Sequence, residues 1–331
     1  MEDRKKDHIE LAFQSQTPIE LLDKRFNYEP YLAAHPVNGP TPMQFLGKAC
    51  KAPMWVSSMT GGTQLAYKIN HNLAQACREF GFGMGLGSCR SILNDDTHFR
   101  DFDMRDVIGD DLPFFANLGI CQVEELVEAG KFDKIKDLVK RLRANGLIVH
   151  VNPMQEWFQP EGDMIKYPPL QTLKKLLDKV DFPVITKEVG QGIGPESLRE
   201  LLKLPLAAIE FGAFGGTNFA KVELLRDLEA PKELYEPFSL IGMDVYEMLD
   251  SVNAIIASER NILCKEIIIS GGVHSFLDGY YLVKKSKLNA VYGQASTFLK
   301  YAREDYEVLQ SFVLNQIKGL EMAYAYLRVK A

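Results

Sequence analysis

Residues 150 to 163, with the sequence HVNPMQEWFQPEGD, contain a histidine, two amides and a carboxylate within seven positions: His150, Asn152, Gln155 and Glu156. An imidazole changes charge near neutral pH and can move protons. A carboxylate beside amides can hold Mg2+, which prefers oxygen ligands and normally bridges to a substrate phosphate. The simpler alternatives are a histidine with satisfied hydrogen bonds for His150 and a solvated loop carboxylate for Glu156. The elements around this stretch must decide between these interpretations.

From about residue 53 onward, short apolar runs alternate with longer segments of 3.6-residue periodicity, which is typical of βα units. Eight such units over roughly 250 residues predict a (β/α)8 TIM barrel. An open doubly wound sheet is the alternative, but it would need a G-x-G-x-x-G turn where the first run ends in MTGG. The eight runs lie at residues 53 to 62, 83 to 88, 113 to 120, 146 to 153, 183 to 190, 207 to 213, 266 to 272 and 289 to 295.

The segments outside these runs are predicted to be additions to one barrel domain that spans residues 1 to 331. Residues 1 to 52 contain five prolines and precede the first strand, so we expect an N-terminal extension of turns and short helices over the barrel mouth. Residues 304 to 328 carry apolar side chains along one helical face, which predicts a C-terminal helix that covers the barrel. An oligomer contact is the lesser alternative for that helix.

Composition places the chain among soluble globular proteins, with 46% hydrophobic and 25% charged residues. The net charge of −6 argues against a nucleic-acid partner, which would require a basic face. Five cysteines without C-x-x-C spacing indicate neither a disulfide framework nor a zinc site, and a reducing cytoplasm is the simplest location. No apolar run approaches the length of a membrane span, so we expect no membrane partner.

Small residues follow the sixth, seventh and eighth predicted strands, as GGT at 215 to 217, SGGV at 270 to 273 and GQAS at 293 to 296. Small side chains let backbone N–H groups approach a phosphate, and a helix beginning at about Ser296 would add its positive end. Tight turns are the alternative for any one of these segments. Three successive strand ends together favour a phosphate site at the mouth.

Hydrogen-bonding side chains end three other predicted strands. Lys187 shares a strand face with Ile185 and should point into the mouth, as should Asn117 and Thr60. Together they suit a flat heteroaromatic ring, and FMN fits, with Lys187 near the part of the ring that becomes negative on reduction. Taken singly, Asn117 and Thr60 could be strand caps, and Lys187 could form an ion pair with Glu188.

A second anion site is suggested by Arg4, Lys5 and His8 near the N-terminus and by Arg90 after the second strand. If the extension folds over the mouth, these cations would reach a bound diphosphate, for which the arginine fork is well suited. The alternative is an ordinary solvated terminus.

Eight motifs, in this order along the chain, resemble those of the type 2 isopentenyl diphosphate isomerases. The ordered set covers residue 4 to about 300 and is more specific than any one motif. The motifs are RKKDH (4 to 8), MTGG (59 to 62), GSCR (87 to 90), ANLG (116 to 119), H-x-N-x-x-QE (150 to 156), KEVG (187 to 190), GGTNF (215 to 219) and SGG (270 to 272).

This resemblance implies an FMN-dependent barrel that interconverts isopentenyl and dimethylallyl diphosphate without net redox change, with Mg2+, and with NADPH to reduce the flavin. It implies a metal role for Glu156 and catalytic roles for Gln155 and His150. Substrate contacts are implied at Arg4, Lys5, His8, Ser88, Cys89, Arg90, Asn152 and Gln155. FMN contacts are implied at Met59, Thr60, Gly61, Ser88, Asn117, Lys187, Thr217, Gly271, Gly272, Val273, Ala295 and Ser296. Two positions depart from the usual pattern: Cys89, where many members have Gln or Met, and His274, where many have Arg.

The implied reaction moves a proton between C2 of one isomer and C4 of the other. Gln155 does not titrate near neutral pH, so the reduced flavin, whose N5 can give and take a proton, is the expected acid and base. Gln155 would then position the substrate or relay the proton. The alternatives are an FMN barrel oxidoreductase of the 2-hydroxy acid oxidase type, which would need a His/Arg pair for a carboxylate substrate, and a non-catalytic binding module. The family usually forms tetramers or octamers, which implies a homotetramer or homo-octamer.

Overall fold

Eight parallel strands close into a barrel in the computed structural model, which describes residues 2–37, 39–40, 42–58, 65–227 and 232–330. The strands follow one another around the barrel in chain order, β4 to β11, and β11 pairs with β4. Each of the eight predicted runs contains one barrel strand, so the predicted (β/α)8 fold is confirmed. The strands are β1 (Phe26–Tyr28), β2 (Met43–Phe45), β3 (Lys48–Cys50), β4 (Met54–Val56), β5 (Gly83–Gly85), β6 (Phe114–Gly119), β7 (Gly146–His150), β8 (Val184–Lys187), β9 (Ala208–Glu210), β10 (Glu266–Ser270), β11 (Asn289–Gln294) and β12 (Leu327–Val329).

Helices connect the barrel strands and pack around them. Their apolar faces meet the outward side chains of the strands in one large core cluster. The helices are α1 (Glu2–Leu11), α2 (Ala66–Phe80), α3 (Phe99–Phe102), α4 (Arg105–Ile108), α5 (Ile120–Glu128), α6 (Phe132–Arg141), α7 (Pro153–Phe158), α8 (Pro169–Leu177), α9 (Pro195–Leu202), α10 (Phe219–Arg226), α11 (Lys232–Ser239), α12 (Val245–Ser258), α13 (Phe276–Lys285), α14 (Ser296–Ala302) and α15 (Tyr306–Tyr326).

The barrel interior has an apolar layer formed around Trp55, with Phe115, Ile148 and Ile185 among its members. Glycine makes room for the indole, since a Cβ at Gly83 would lie 2.5 Å from the Trp55 ring. Side chains alternate across a strand, so the inward positions two residues further on belong to the next layer toward the mouth. That layer holds polar residues, including Asn117, Lys187 and Glu210.

The hairpin of β2 and β3 closes the opposite end of the barrel from the mouth. Phe45 and Cys50 belong to the interior apolar cluster, and the backbone N–H of Leu46 donates to Glu266, the first residue of β10, at 2.7 Å. The prediction of an extension over the mouth is therefore wrong for this segment. The apolar hairpin residues cover the apolar end of the barrel, which would otherwise face water.

The first part of the extension is not packed on the mouth either. Residues 4–24 are exposed throughout, and the chain joins the body at β1, which pairs with β12. At that point Arg25 forms an ion pair with Asp278 of α13 at 2.7 Å. Helix α1 thus leaves its polar and apolar faces uncovered within the chain.

The predicted C-terminal helix is present as α15. Leu309, Val313 and Leu320 are buried on one of its faces, against α13, α14 and α2. The helix ends at Tyr326, two residues before the predicted end at residue 328, and Leu327 begins β12, which pairs with β1. Across the part of the chain that is described, no helix is both long and apolar enough to cross a membrane.

Candidate active site

A cavity of about 330 Å³ opens at the C-terminal ends of β8 to β11. Its volume falls within the range of about 300–1,000 Å³ that is usual for small-molecule sites. Ser57 and Ser58, just after β4, form the near wall. Seven residues predicted to bind a cofactor line this cavity: Lys187, Thr217, Gly271, Gly272, Val273, Ala295 and Ser296.

Two glycine segments meet backbone to backbone in this cavity. Gly271 has φ of +87°, and a Cβ there would lie only 2.1 Å from the carbonyl oxygen of Ala213. A Cβ at Gly215, whose φ is +110°, would lie 3.2 Å from Cα of Gly272. Side chains are therefore excluded from these positions, and the backbone is left open to a ligand. A cradle of this kind suits a phosphate group, as the sequence predicted.

Lys187 lies at the cavity wall with its side chain buried. Its ammonium group donates to the backbone carbonyl of Glu188 at 2.8 Å. The Glu188 carboxylate instead accepts from the backbone N–H groups of Gly190, Gln191 and Gly192, and burial raises its pKa. The alternative interpretation of a Lys187–Glu188 ion pair is therefore wrong, and within the described part of the chain two ammonium protons remain available for other acceptors.

Asn117 and His150 form a hydrogen-bonded pair on neighbouring strands. The Asn117 amide nitrogen donates to the carbonyl of Leu86 at 3.0 Å, so its Oδ1 faces His150 Nδ1 at 2.8 Å. This network assigns the Nδ1–H tautomer to His150 and leaves Nε2 as an acceptor. Burial, reinforced by the charge of Lys187, lowers the pKa of His150 to about 3. A neutral imidazole with so low a pKa is a hydrogen-bonding group and a weak base.

The stretch after β7 is a short helix, α7, where a loop was expected. Proline at the first helical position, with Asn152 before it, is a usual start for a helix. The Asn152 side chain turns toward the helix and donates to Gln155 Oε1 at 3.1 Å and to Glu156 Oε1 at 3.0 Å. Asn152 is buried at the start of α7, where its amide holds the side chains of Gln155 and Glu156.

Gln155 is held from both sides. Its Oε1 accepts from Asn152, and its Nε2 donates to Oε1 of Glu223 in α10 at 2.9 Å. Glu223 is only 3% exposed and forms an ion pair with Arg226, which also contacts Glu161. The orientation of the Gln155 amide is therefore fixed by the protein before any substrate binds.

Glu156 and Arg90 meet through Asp163. Glu156 Oε2 accepts from the Asp163 backbone N–H at 2.8 Å, and Arg90 forms an ion pair with the Asp163 carboxylate at 2.8 Å. Each oxygen of Glu156 keeps a free lone pair. No group of three or more metal-type ligands occurs among the residues described, so a metal ion at Glu156 would need ligands from water and substrate.

The remaining predicted site residues do not form one group in the structure. Ser88 and Arg90 are exposed after β5, and Ser88 and Asn117 do not line the cavity. Cys89 is 0% exposed in the main apolar core, so the predicted substrate contact at Cys89 is wrong. The structure does not bring Arg4, Lys5 and His8 of the exposed α1 to the mouth of the same chain. The predicted contacts Met59, Thr60 and Gly61 lie outside the described residues.

Sequence reasoning missed two carboxylates at the site, Glu223 and Glu210. A signal was available for Glu223, because it lies one helical turn after Phe219 of the GGTNF motif. Glu210 is fully buried at the end of β9 and lines the cavity. Glu210 lies two residues after Ala208 on the same strand, so the alternation of side chains would have placed it inside the barrel.

Solved structures with the same fold include two flavoenzymes. A mandelate oxidase variant with an FMN adduct has a TM-score of 0.56 at 13% identity, over 93% of this chain and 88% of that chain. A flavocytochrome b2 variant with sulfite bound has a TM-score of 0.63 at 14% identity, over 96% and 81% of the two chains. At these identities the likeness shows the fold alone.

Curated relatives match nearly the whole chain, although no family model matches it. The isopentenyl-diphosphate delta-isomerase of Rickettsia felis is 32% identical over 333 residues, covering 96% of this chain and 90% of the relative. That of Rickettsia prowazekii is 32% identical over 323 residues, covering 96% and 89%. This chain is an enzyme of the isopentenyl-diphosphate delta-isomerase family.

Proposed function

We propose that this enzyme is the FMN-dependent, type 2 form of the isomerase and interconverts isopentenyl and dimethylallyl diphosphate. The observation that supports this most is the glycine-lined cavity at the ends of β8 to β11, which has Lys187 in its wall. Its backbone cradle suits the phosphate of FMN, and its buried polar groups suit a heteroaromatic ring. NADPH is the proposed reductant, and the buried, free cysteines are compatible with a cytoplasmic location.

The residues present fit FMN in three respects. Gly271 and Gly272, with Ala295 and Ser296, would hold the phosphate through backbone N–H groups. Lys187 has ammonium protons available for the ring, and its charge would favour negative charge there. Among the described residues, the buried hydroxyl groups of Ser57 and Ser58 have no hydrogen-bond partner, as expected for groups that would contact a ligand. When bound, reduced FMN would supply the acid and base of the isomerisation.

The side chains beyond the cavity are proposed to hold the substrate. Arg90 and Ser88 would contact the diphosphate, and Glu156 would bind Mg2+ together with waters and a phosphate oxygen. Gln155, held between Asn152 and Glu223, would place the carbon skeleton for proton transfer. His150, neutral and held by Asn117, would accept a hydrogen bond at Nε2.

We also propose that the enzyme acts as a homo-oligomer, a tetramer or octamer, in which α1 of one copy reaches the mouth of another. Arg4, Lys5 and His8 are expected at the diphosphate, yet α1 is exposed in its own chain. Apolar side chains beside them are also uncovered, with Ile9 72% and Phe13 80% exposed, as expected for a segment that packs on a partner.

Mixing two inactive variants tests the proposal that α1, here called the arm, acts at the mouth of another copy. An Arg4→Ala/Lys5→Ala chain has an intact mouth, and a Gln155→Ala chain has an intact arm. If the arm acts on another copy, reassembled mixtures regain activity that neither variant shows alone. Mixed oligomers with no more activity than the sum of the separate variants would rule it out.

One assay tests the function itself: isomerisation of isopentenyl diphosphate under anaerobic conditions with FMN and Mg2+, with and without NADPH. Turnover that depends on FMN and reductant is expected. The fold shared with mandelate oxidase and flavocytochrome b2 keeps an FMN oxidoreductase of the 2-hydroxy acid oxidase type as the second candidate. Flavin reduction by a 2-hydroxy acid, without isomerisation, would favour that candidate.

A further inference from the structure

Glu210 ends β9 at the floor of the cavity, and its carboxylate is fully buried. Neither carboxylate oxygen has a hydrogen-bond partner among the described residues. Trp55, Ser57 and Ser270 lie close enough to lower the pKa of Glu210, but none donates to it with hydrogen-bond geometry. A buried polar group left without a partner costs free energy. Its presence beside a ligand cavity therefore indicates a role toward the ligand.

Lys187 is the charged group that acts on Glu210. The two residues are Cα partners on the adjacent strands β8 and β9. The charge of Lys187 lowers the pKa of Glu210, yet burial has the larger effect and raises it. The other titratable groups nearby are engaged or distant from it: Glu188 holds three backbone N–H groups, His150 is neutral, and His274 is exposed at the rim.

We infer that Glu210 is a proton acceptor at the cavity floor, which would take up one proton when FMN bound in this cavity gains negative charge on reduction. The inference rests on the proposed function, because it requires FMN in this cavity. Negative charge added near a carboxylate disfavours its ionised form, and the effect is strong where water is excluded. In the balance, the reductant supplies two electrons, the ring takes one proton, and Glu210 takes a second proton from solvent.

The dependence of the flavin midpoint potential on pH measures this proton. For a two-electron couple, each proton taken up adds about 30 mV to the slope per pH unit. The slope of the midpoint potential against pH should be greater by this amount in the FMN-loaded wild type than in the isosteric Glu210→Gln variant. The difference is expected at pH values between the pKa of Glu210 with oxidised FMN and its pKa with reduced FMN. Glu266→Gln, at the opposite end of β10, is the matched control and should keep the wild-type slope.

Equal slopes for wild type and Glu210→Gln across about pH 5 to 9, where carboxyl and imidazole groups titrate, would overturn the inference. If Glu210→Gln does not fold, Glu210→Asp serves instead, because it keeps a titrating group that is one methylene shorter and should shift the window in which the extra slope occurs. FMN binding and isomerisation by the wild type are measured first. Failure of those assays rejects the proposed function, whereas success with equal slopes rejects only the role of Glu210.

Discussion

The Gln155 side-chain amide donates to the buried carboxylate of Glu223 across 2.9 Å, while Asn152 donates to the other end of the same amide. Gln155 is therefore oriented by two separate elements, β7 with its following turn and α10. An amide held in this way can place a substrate, because its rotation is already restricted.

Loss of Gln155 should abolish most turnover. Gln155→Ala is expected to lower kcat by orders of magnitude while FMN binding persists, since Gln155 does not line the cavity proposed for FMN. Single-turnover isomerisation measures the loss of activity, and FMN fluorescence measures whether FMN binding persists. Near-normal turnover in this variant would refute a catalytic role.

Glu223 is expected to act through Gln155 as a positioning residue. Glu223→Gln should lower kcat by about 100-fold, the effect of a small misplacement, with little change in KM. Glu161→Gln is the matched control, because Glu161 also contacts Arg226 but is exposed. If both variants lose activity equally, the ion pair with Arg226 matters and the contact with Gln155 does not.

Replacement of Glu156 should change the metal requirement. Glu156→Gln keeps the shape and one of the two hydrogen bonds that the carboxylate accepts, but it removes the charge that Mg2+ needs. The Mg2+ concentration for half-maximal activity should rise by more than about tenfold. Mutation of residues that only hydrogen-bond to metal ligands already lowers metal affinity by about that factor. An unchanged requirement, as expected for the exposed control Glu125→Gln, would remove the metal role.

FMN affinity should depend on Lys187. Lys187→Met keeps the apolar stem and removes a charged donor, which is worth about 1.5–3 kcal/mol. The dissociation constant of FMN should therefore rise by about 10- to 100-fold. Fluorescence titration of the unloaded protein measures it, with the exposed Lys221→Met as control. Equal affinity in both variants would contradict the assignment of this cavity to FMN.

His150 should make the fold acid-sensitive. Its pKa is lowered to about 3 in the folded state, so the unfolded state binds more protons as pH falls below the ordinary value near 6.5. The free energy of unfolding should fall from about pH 6.5 toward pH 3, by up to about 1.4 kcal/mol per pH unit from this group. The free energy of unfolding, measured with urea, should fall less with decreasing pH in His150→Gln than in the wild type. The variant His35→Gln, at an exposed position, should match the wild type.

The glycine cradle should tolerate no side chain at Gly271. Both Gly271 and Gly130 have positive φ, but a Cβ at Gly130 meets nothing within 4 Å. Gly130→Ala should cost about 1–3 kcal/mol of stability from backbone strain alone. Gly271→Ala should cost more and should abolish FMN binding. Similar losses of stability and full FMN binding in both variants would show that the backbone contact at Ala213 is unimportant.

Much of the architecture followed from local pattern. The eight apolar runs predicted β4 to β11, and the helical face of residues 304 to 328 predicted α15. The glycines at residues 215, 271 and 272 predicted the cradle because few residues other than glycine fit such turns. In each case the information lies within a few neighbouring residues.

The errors concern contacts between distant segments. Cys89 belongs to the GSCR motif after β5, yet its side chain is buried in the core. Residues 43–50 close the far end of the barrel because Phe45 and Cys50 are buried against the Trp55 layer there.

The sequence by itself determined the barrel, the small residues of the glycine cradle and the chemical types gathered at the strand ends, since these depend on periodicity and local backbone conformation. Only the tertiary structure decided that Glu223 restrains Gln155, that Glu210 next to Lys187 has no hydrogen-bond partner among the described residues, and that α1 is exposed. The reason is physical: burial and the pairing of charges depend on which strands and helices become neighbours, and those neighbours are far apart along the chain.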